Sequence, residues 1–289
     1  MTRRDVLKRF SEAVGAGDKA AIARISESGP GIVNAANAHR NVPLGVAIGT
    51  GRLDIVRQLV ELGADPGHCN HGGHSMLDAA AYGGHQGIAR YLIERGAAPS
   101  ILHHAALGDL AAVKRDWTSQ LVQAGGRWRM APLHAAVRAC NLPAVTGLLE
   151  FCEPDPKDHN GHTPLALVPE LAGAKPRALL ATALLDACAS VDAQAGHFSG
   201  TVLHRAIVNG QLDLVEVLVA RGADLTLQDH AGKTPLHEAV AKGVKYVELL
   251  LAGDVDFAIR SRDGETPLGF ARRRKKKTVA ALLEAAGGS

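Results

Sequence analysis

The stretch Thr201-Val202-Leu203-His204-Arg205-Ala206-Ile207-Val208-Asn209-Gly210-Gln211-Leu212-Asp213-Leu214-Val215-Glu216-Val217-Leu218-Val219-Ala220-Arg221-Gly222-Ala223-Asp224 decides how this chain folds. It reads as a capped start, a short Ala-containing helix, a turn at Gly210, and an apolar run with i, i+3, i+4 spacing that stops at Gly-Ala-Asp. Thr201 at the start accepts hydrogen bonds from the free N–H groups of the first helical turn, and Gly222 after the second helix admits a left-handed C-cap. Thirty-three residues after Thr201, Thr234-Pro235-Leu236-His237 opens the same pattern. Its proline sits at the first helical position, where the missing N–H has no partner to lose.

Outward from this stretch the tetrad returns as Val42-Pro43-Leu44-Gly45, Ser75-Met76-Leu77-Asp78, Ala131-Pro132-Leu133-His134, Thr163-Pro164-Leu165-Ala166 and Thr266-Pro267-Leu268-Gly269. First residues are separated by 33 (42 to 75), 32 (131 to 163), 38 (163 to 201), 33 (201 to 234) and 32 (234 to 266), so the chain repeats one structural unit. The 38-residue interval adds about five residues around Asp192 to Gly200.

These residues resemble the ankyrin repeat, and the resemblance runs over essentially the whole chain. It implies an all-α repeat solenoid: helix-turn-helix units with short β-turn fingers, stacked in one curved array over 1–289 with the first helices on the concave side. The units fall at about 4–34, 37–69, 70–99, 100–127, 128–157, 158–192, 196–228, 229–260 and 261–289. In the first, Val6-Leu7-Phe10-Val14 and Ala20-Ile22-Ile25 form a degenerate helix pair behind a polar cap of Arg3, Arg4 and Asp5. Near residue 100 the tetrad reads as absent. Ser100 to Leu110 follows Gly96-Ala97-Ala98-Pro99 directly, with no room for a finger. Pro169 is expected to end or kink its helix, and Lys175-Pro176 to start the next one late.

Hydrophobic residues make up 46% of the 289 and aromatics 3%, so a folded core built from Ala, Leu, Val and Ile is expected. No apolar run approaches the ~20 residues of a membrane span, and the basic start has no apolar segment behind it, which points to the cytoplasm. Cys69, Cys140, Cys152 and Cys188 show no CxxC pairing and read as buried free thiols. The net charge of +3 conceals the run Arg272-Arg273-Arg274-Lys275-Lys276-Lys277; removing those six of 32 bases leaves 26 against 29 acids. A generally basic, nucleic-acid-binding body is disfavoured, and the run reads as the solvated cap of a terminal repeat.

The resemblance implies recognition of a partner, protein or small molecule, through finger tips and the concave face. No cofactor is called for, and no GxGxxG, P-loop, HExxH or GxSxG is present. Of the 14 histidines, His134, His204 and His237 occupy the tetrad, while His39, His71, His159 and His230 recur at finger tips. His68, Cys69, His71 and His74 have zinc-ligand chemistry without zinc-ligand spacing, so no metal site is assigned. The anomaly is His103-His104. Counted from Gly108, His104 takes a position that prefers a small buried Ala, and His103 takes a variable surface position. With Asp78 as orienting carboxylate, these give an alternative reading: an acid–base enzyme of cyclase or dehydratase type acting in bacterial biosynthesis. Its ligand wall would draw on Tyr82, Trp128, Arg138, His71, Leu107 and Arg205. The fingerless unit is also expected to be a weak seam over 101–128, loosened further below pH ~6 by charging of a buried His104.

Overall fold

A computed structural model describes residues 2–29, 31–37, 41–69, 74–117, 131–171, 174–195 and 200–288. It divides into two compact units, Met1–Thr118 and Ser119–Ser289. In the first, four helix pairs follow one another: α1 (Arg3–Ala16) with α2 (Lys19–Ser26), α3 (Pro43–Gly49) with α4 (Leu53–Glu61), α5 (Met76–Tyr82) with α6 (Gln86–Glu94), and α7 (Ile101–Leu107) with α8 (Leu110–Arg115). In the second there are five: α9 (Pro132–Arg138) with α10 (Leu142–Leu149), α11 (Pro164–Leu167) with α12 (Ala174–Asp186), α13 (Val202–Val208) with α14 (Leu212–Ala220), α15 (Pro235–Lys242) with α16 (Val244–Leu251), and α17 (Pro267–Arg273) with α18 (Lys277–Ala285). These nine helix pairs are those of the described residues.

Helices stack in two rows. α1 packs on α3, α3 on α5 and α5 on α7, and likewise α13 on α15 and α15 on α17. The second helices form the other row, α10 on α12 and α12 on α14. Their apolar stripes make the core: Leu59 and Leu92 in the first unit, Leu148, Leu214, Leu218, Val247, Leu250 and Leu283 in the second, all buried. Proline occupies the first turn of α3, α9, α11, α15 and α17, as the tetrad predicts.

Between the helices of a pair the chain reverses through one left-handed residue. Gly51, Gly84, Gly108 and Gly210 take it with φ of 69° to 79°, and Cys140 (φ 52°) and Lys275 (φ 57°) take it without a glycine. The turn is closed by a backbone bond five residues back, as from Gln211 N–H to the Ala206 carbonyl (2.9 Å). Cys188 (φ 65°) fills the left-handed exit position that Gly63, Gly96 and Gly222 fill elsewhere. These placements correct the expectation of buried thiols. All four cysteines are free, but Cys69 and Cys188 are exposed and Cys140 and Cys152 half-buried, because turns and fingers lie at the surface.

Unit six departs as expected. α11 lasts four residues and gives way to a 3₁₀ turn, Val168–Glu170, where Pro169 cannot continue the ladder. The freed Pro169 carbonyl accepts hydrogen bonds from Asn209 Nδ2 (2.9 Å) and Gln211 Nε2 (2.8 Å) of the next pair. α12 starts at Ala174, so Lys175-Pro176 lies in its first turn. Before α13, β1 (Gln194–Ala195) pairs antiparallel with β2 (Gly200–Thr201).

Candidate functional site

The chain between α6 and α7 is short, residues 95–100, whereas residues 62–75 separate α4 from α5. No finger fits in six residues. α7 nevertheless begins as its neighbours do. Ser100 is its N-cap and His103 its third residue, joined by a capping box as in Thr201–His204 and Thr234–His237. Ser100-Ile101-Leu102-His103 is thus the tetrad that the sequence reading took as missing. Its first helix is one residue short: Gly108 follows Ser100 by eight, while Gly84 follows Ser75 and Gly210 follows Thr201 by nine. Counting back from Gly108 displaced both histidines by one position.

His103 is therefore interior, 6% exposed, instead of lying on a variable surface position. Its Nδ1 accepts from the Ser100 backbone N–H (2.9 Å) and lies 2.9 Å from Ser100 Oγ. A backbone amide can only donate, so the proton sits on Nε2, which donates to Asp78 Oδ1 at 3.0 Å. The other carboxylate oxygen, Oδ2, accepts from Ser75 N–H (2.7 Å) and Ser75 Oγ (2.9 Å). Tyr82 stacks on the imidazole, centroids 5.9 Å apart and planes within 10°. Burial pushes the Asp78 pKa upward, but the bonds from His103 and Ser75 prevail and hold it at about 2.

His104 is half-buried, and its Nδ1 lies 3.5 Å from Asp109 Oδ2 at the turn into α8. That corrects its expected burial between helices. Leu107 is buried within its own unit. Arg138, exposed at the end of α9, and Arg205 belong to the second unit. Trp128 and His71 lie outside the described residues. The structure brings together Asp78, Tyr82 and His103, and both ring nitrogens of His103 are engaged, Nδ1 in capping α7 and Nε2 in holding α7 to α5.

The second unit makes the equivalent bond differently. His134 Nε2 donates to the His162 carbonyl (2.9 Å), His204 Nε2 to that of Lys233 (3.0 Å) and His237 Nε2 to that of Glu265 (3.0 Å). Each carbonyl ends the finger just before the next cap. Burial lowers the pKa of all three histidines, which favours the neutral Nε2–H form these bonds require.

Charges on and beside the first helices of the second unit are paired: Arg205 with Glu170 of the preceding repeat (2.6 Å), and, each within its own repeat, Lys233 with Glu238 (2.9 Å) and Arg273 Nη2 with Glu265 Oε2 (2.7 Å). Arg205 is expected from the sequence as a ligand-wall residue, but its Glu170 partner is not. Beside them Val208, Asn209, Lys242 and Arg274 are exposed. Within the basic run, Arg272 pairs with Glu284 (2.7 Å), while Arg273 and Arg274 lie over the Phe270 ring, 5.2 and 4.9 Å from its centroid. Among the described residues no group of three or more His, Cys, Asp or Glu is placed to hold a metal ion, and no helix is long and apolar enough to cross a membrane.

A family model for ankyrin repeats, described as three copies, matches residues 10–103, 133–229 and 203–288. The chain belongs to the ankyrin-repeat family. It is 37% identical over 153 residues to human B-cell lymphoma 3 protein (48% of this chain, 32% of that protein). It is 35% identical over 104 residues to rat NF-kappa-B inhibitor alpha (35% and 33%). It is also 48% identical over 48 residues to human protein phosphatase 1 regulatory subunit 27 (16% and 31%). The chain spans about a third of the length of these relatives. They are mammalian proteins, two of them named as an inhibitor and a regulatory subunit. They lend no support to the expected bacterial biosynthetic cyclase.

Proposed function

We propose that this chain is a cytoplasmic recognition scaffold that binds a protein partner through the first-helix row and fingers of its second unit. The observation that supports it is the row itself. Successive repeats present Val208, 43% exposed, with Asn209, Lys242 and Arg274 from one row of packed helices. The neighbouring charges Arg205, Glu238 and Arg273 are already held in ion pairs, so little side-chain freedom is lost when a partner docks. Relatives named as an inhibitor and as a regulatory subunit fit the same role.

A photo-crosslinking residue at Val208 tests this against one at Leu62, an exposed apolar position in the first unit. In extract from the native source, position 208 is expected to give a discrete protein adduct that Lys242→Glu reduces at least tenfold without moving the melting temperature. Equal, diffuse labelling from both positions overturns the reading.

A further inference from the structure

The second helix-to-helix turns of the last two repeats carry a charge that their capping role does not use. Register aligns Lys242 with Arg274 and Lys245 with Lys277, each 32 residues apart. α15 packs on α17 and α16 on α18, so the two turns are neighbours, about 8–10 Å apart at helix-packing distance. Lys242, Lys245, Arg274, Lys275, Lys276 and Lys277 are all exposed. Among the described residues none of the six forms an ion pair with a carboxylate, although Arg274 lies over Phe270 and helps to lower the Glu265 pKa. The acids nearby are engaged elsewhere: Glu284 with Arg272, Glu265 with Arg273, Glu238 with Lys233. Glu248, three residues from Lys245, is an exposed acid of that edge, and half-buried Asp213 lies near enough to Tyr246 to raise its pKa.

Six exposed cations on two adjacent turns make a single-sign field that draws in anions. Lys275 adds geometry, because its left-handed backbone (φ 57°) fixes the turn that points the run outward.

We propose that this edge docks an acidic, extended peptide segment of the protein partner, a statement that rests on the scaffold reading and extends it. In an extended peptide, side chains on one face recur every ~7 Å, which lets alternate carboxylates meet the two turns in succession. Charge-assisted bonds to Lys and Arg then set the register. A polynucleotide is a poorer match. Phe270 beside the run is 4% exposed and already covered by Arg273 and Arg274, and Tyr246 next to Lys245 is half-buried, so among the described residues no fully exposed ring of this edge is offered for base stacking.

The experiment is a titration of the full chain with a fluorescein-labelled alternating Glu-Ala decapeptide. A ten-residue oligothymidylate and phosphatidylserine vesicles serve as competing probes. Expected are peptide binding that weakens about tenfold or more between 50 and 200 mM salt, a loss of at least tenfold in Arg274→Gln/Lys275→Gln/Lys276→Gln/Lys277→Gln, and a loss of about threefold in Lys242→Gln/Lys245→Gln. Arg9→Gln/Arg24→Gln, exposed bases of the first unit, should leave binding unchanged. Circular dichroism confirms that each variant is folded; should the fourfold variant unfold, the same readout is taken from Lys276→Gln/Lys277→Gln. Unchanged affinity in the folded variants overturns the proposal, as does tighter binding of oligonucleotide or vesicle than of peptide. The titration needs no captured partner, so its failure is separate from failure of crosslinking at Val208.

Discussion

At the junction around Thr234, His204 donates from Nε2 to the Lys233 carbonyl at the end of a finger; at the junction around Ser100, Asp78 occupies the same helical position and accepts from His103. The bonded residues lie 29 apart in the first case and 25 in the second. A finger ends in a backbone carbonyl, so the preceding repeat must supply a donor, and a buried neutral imidazole is one. Where the finger is lost, the next repeat's own histidine arrives with its N–H, so the preceding repeat must supply an acceptor. A carboxylate there satisfies Ser75 and His103 together. The difference teaches that this interior position is chosen by hydrogen-bond polarity, and that a residue away from the repeat pattern can be what the local chain length demands.

Reversing the polarity is the severest test. His204→Asp places a buried carboxylate against the Lys233 carbonyl, two acceptors face to face, and is expected to cost about 3–5 kcal/mol, read as a fall in the chemical-denaturation midpoint. Leu92→Ala and Leu218→Ala, at matched positions 17 residues after Ser75 and Thr201, each remove a fully buried side chain and should cost ~2–5 kcal/mol. A markedly smaller loss at Leu92 would show that the repeat beside the fingerless junction relaxes into its cavity, a looseness the Leu218 site lacks.

Asp78→His restores the residue common at this position, yet it should destabilise by ~1–3 kcal/mol because two Nε2–H donors would then face each other. An unchanged midpoint would break the polarity rule. Acidification separates the two junctions without mutation. The folded pKa of Asp78 is about 2, below its ordinary 3.8. Its contribution, about 1–2 kcal/mol after allowance for solvent screening, is present above pH ~4 and lost as pH falls toward 2. His134, His204 and His237 have folded values below 6.5, so their contribution is present above that pH and lost as pH falls beneath it. Native-state hydrogen exchange should thus show amides of 202–220 losing protection on acidification before those of 101–117. The reverse order would assign the pairs wrongly. The smallest effect lies in the turns: Cys140→Gly and Lys275→Gly each relieve a left-handed non-glycine residue and should raise the midpoint by the equivalent of about 0.5–1 kcal/mol.

The repeat, its helix pairs, the proline starts and the burial of Leu218 were legible in the sequence because caps, turns and apolar periods are local. Such signals act within one helix pair and recur, so a chain of 289 residues states them many times over. The interruption at Pro169 was legible for the same reason, since proline's missing N–H acts on its own helix. What only the tertiary structure decided involves partners in different repeats. His103 read as a surface residue because a helix one residue short moved the glycine used for counting, and the Asp78 that identifies its true place lies 25 residues away. Likewise, whether Arg205 faces a partner as a free charge depended on Glu170 of the preceding repeat, set opposite it by packing. Hydrogen bonds and ion pairs between repeats depend on the distance left between two backbones, and that distance exists only once the repeats have stacked.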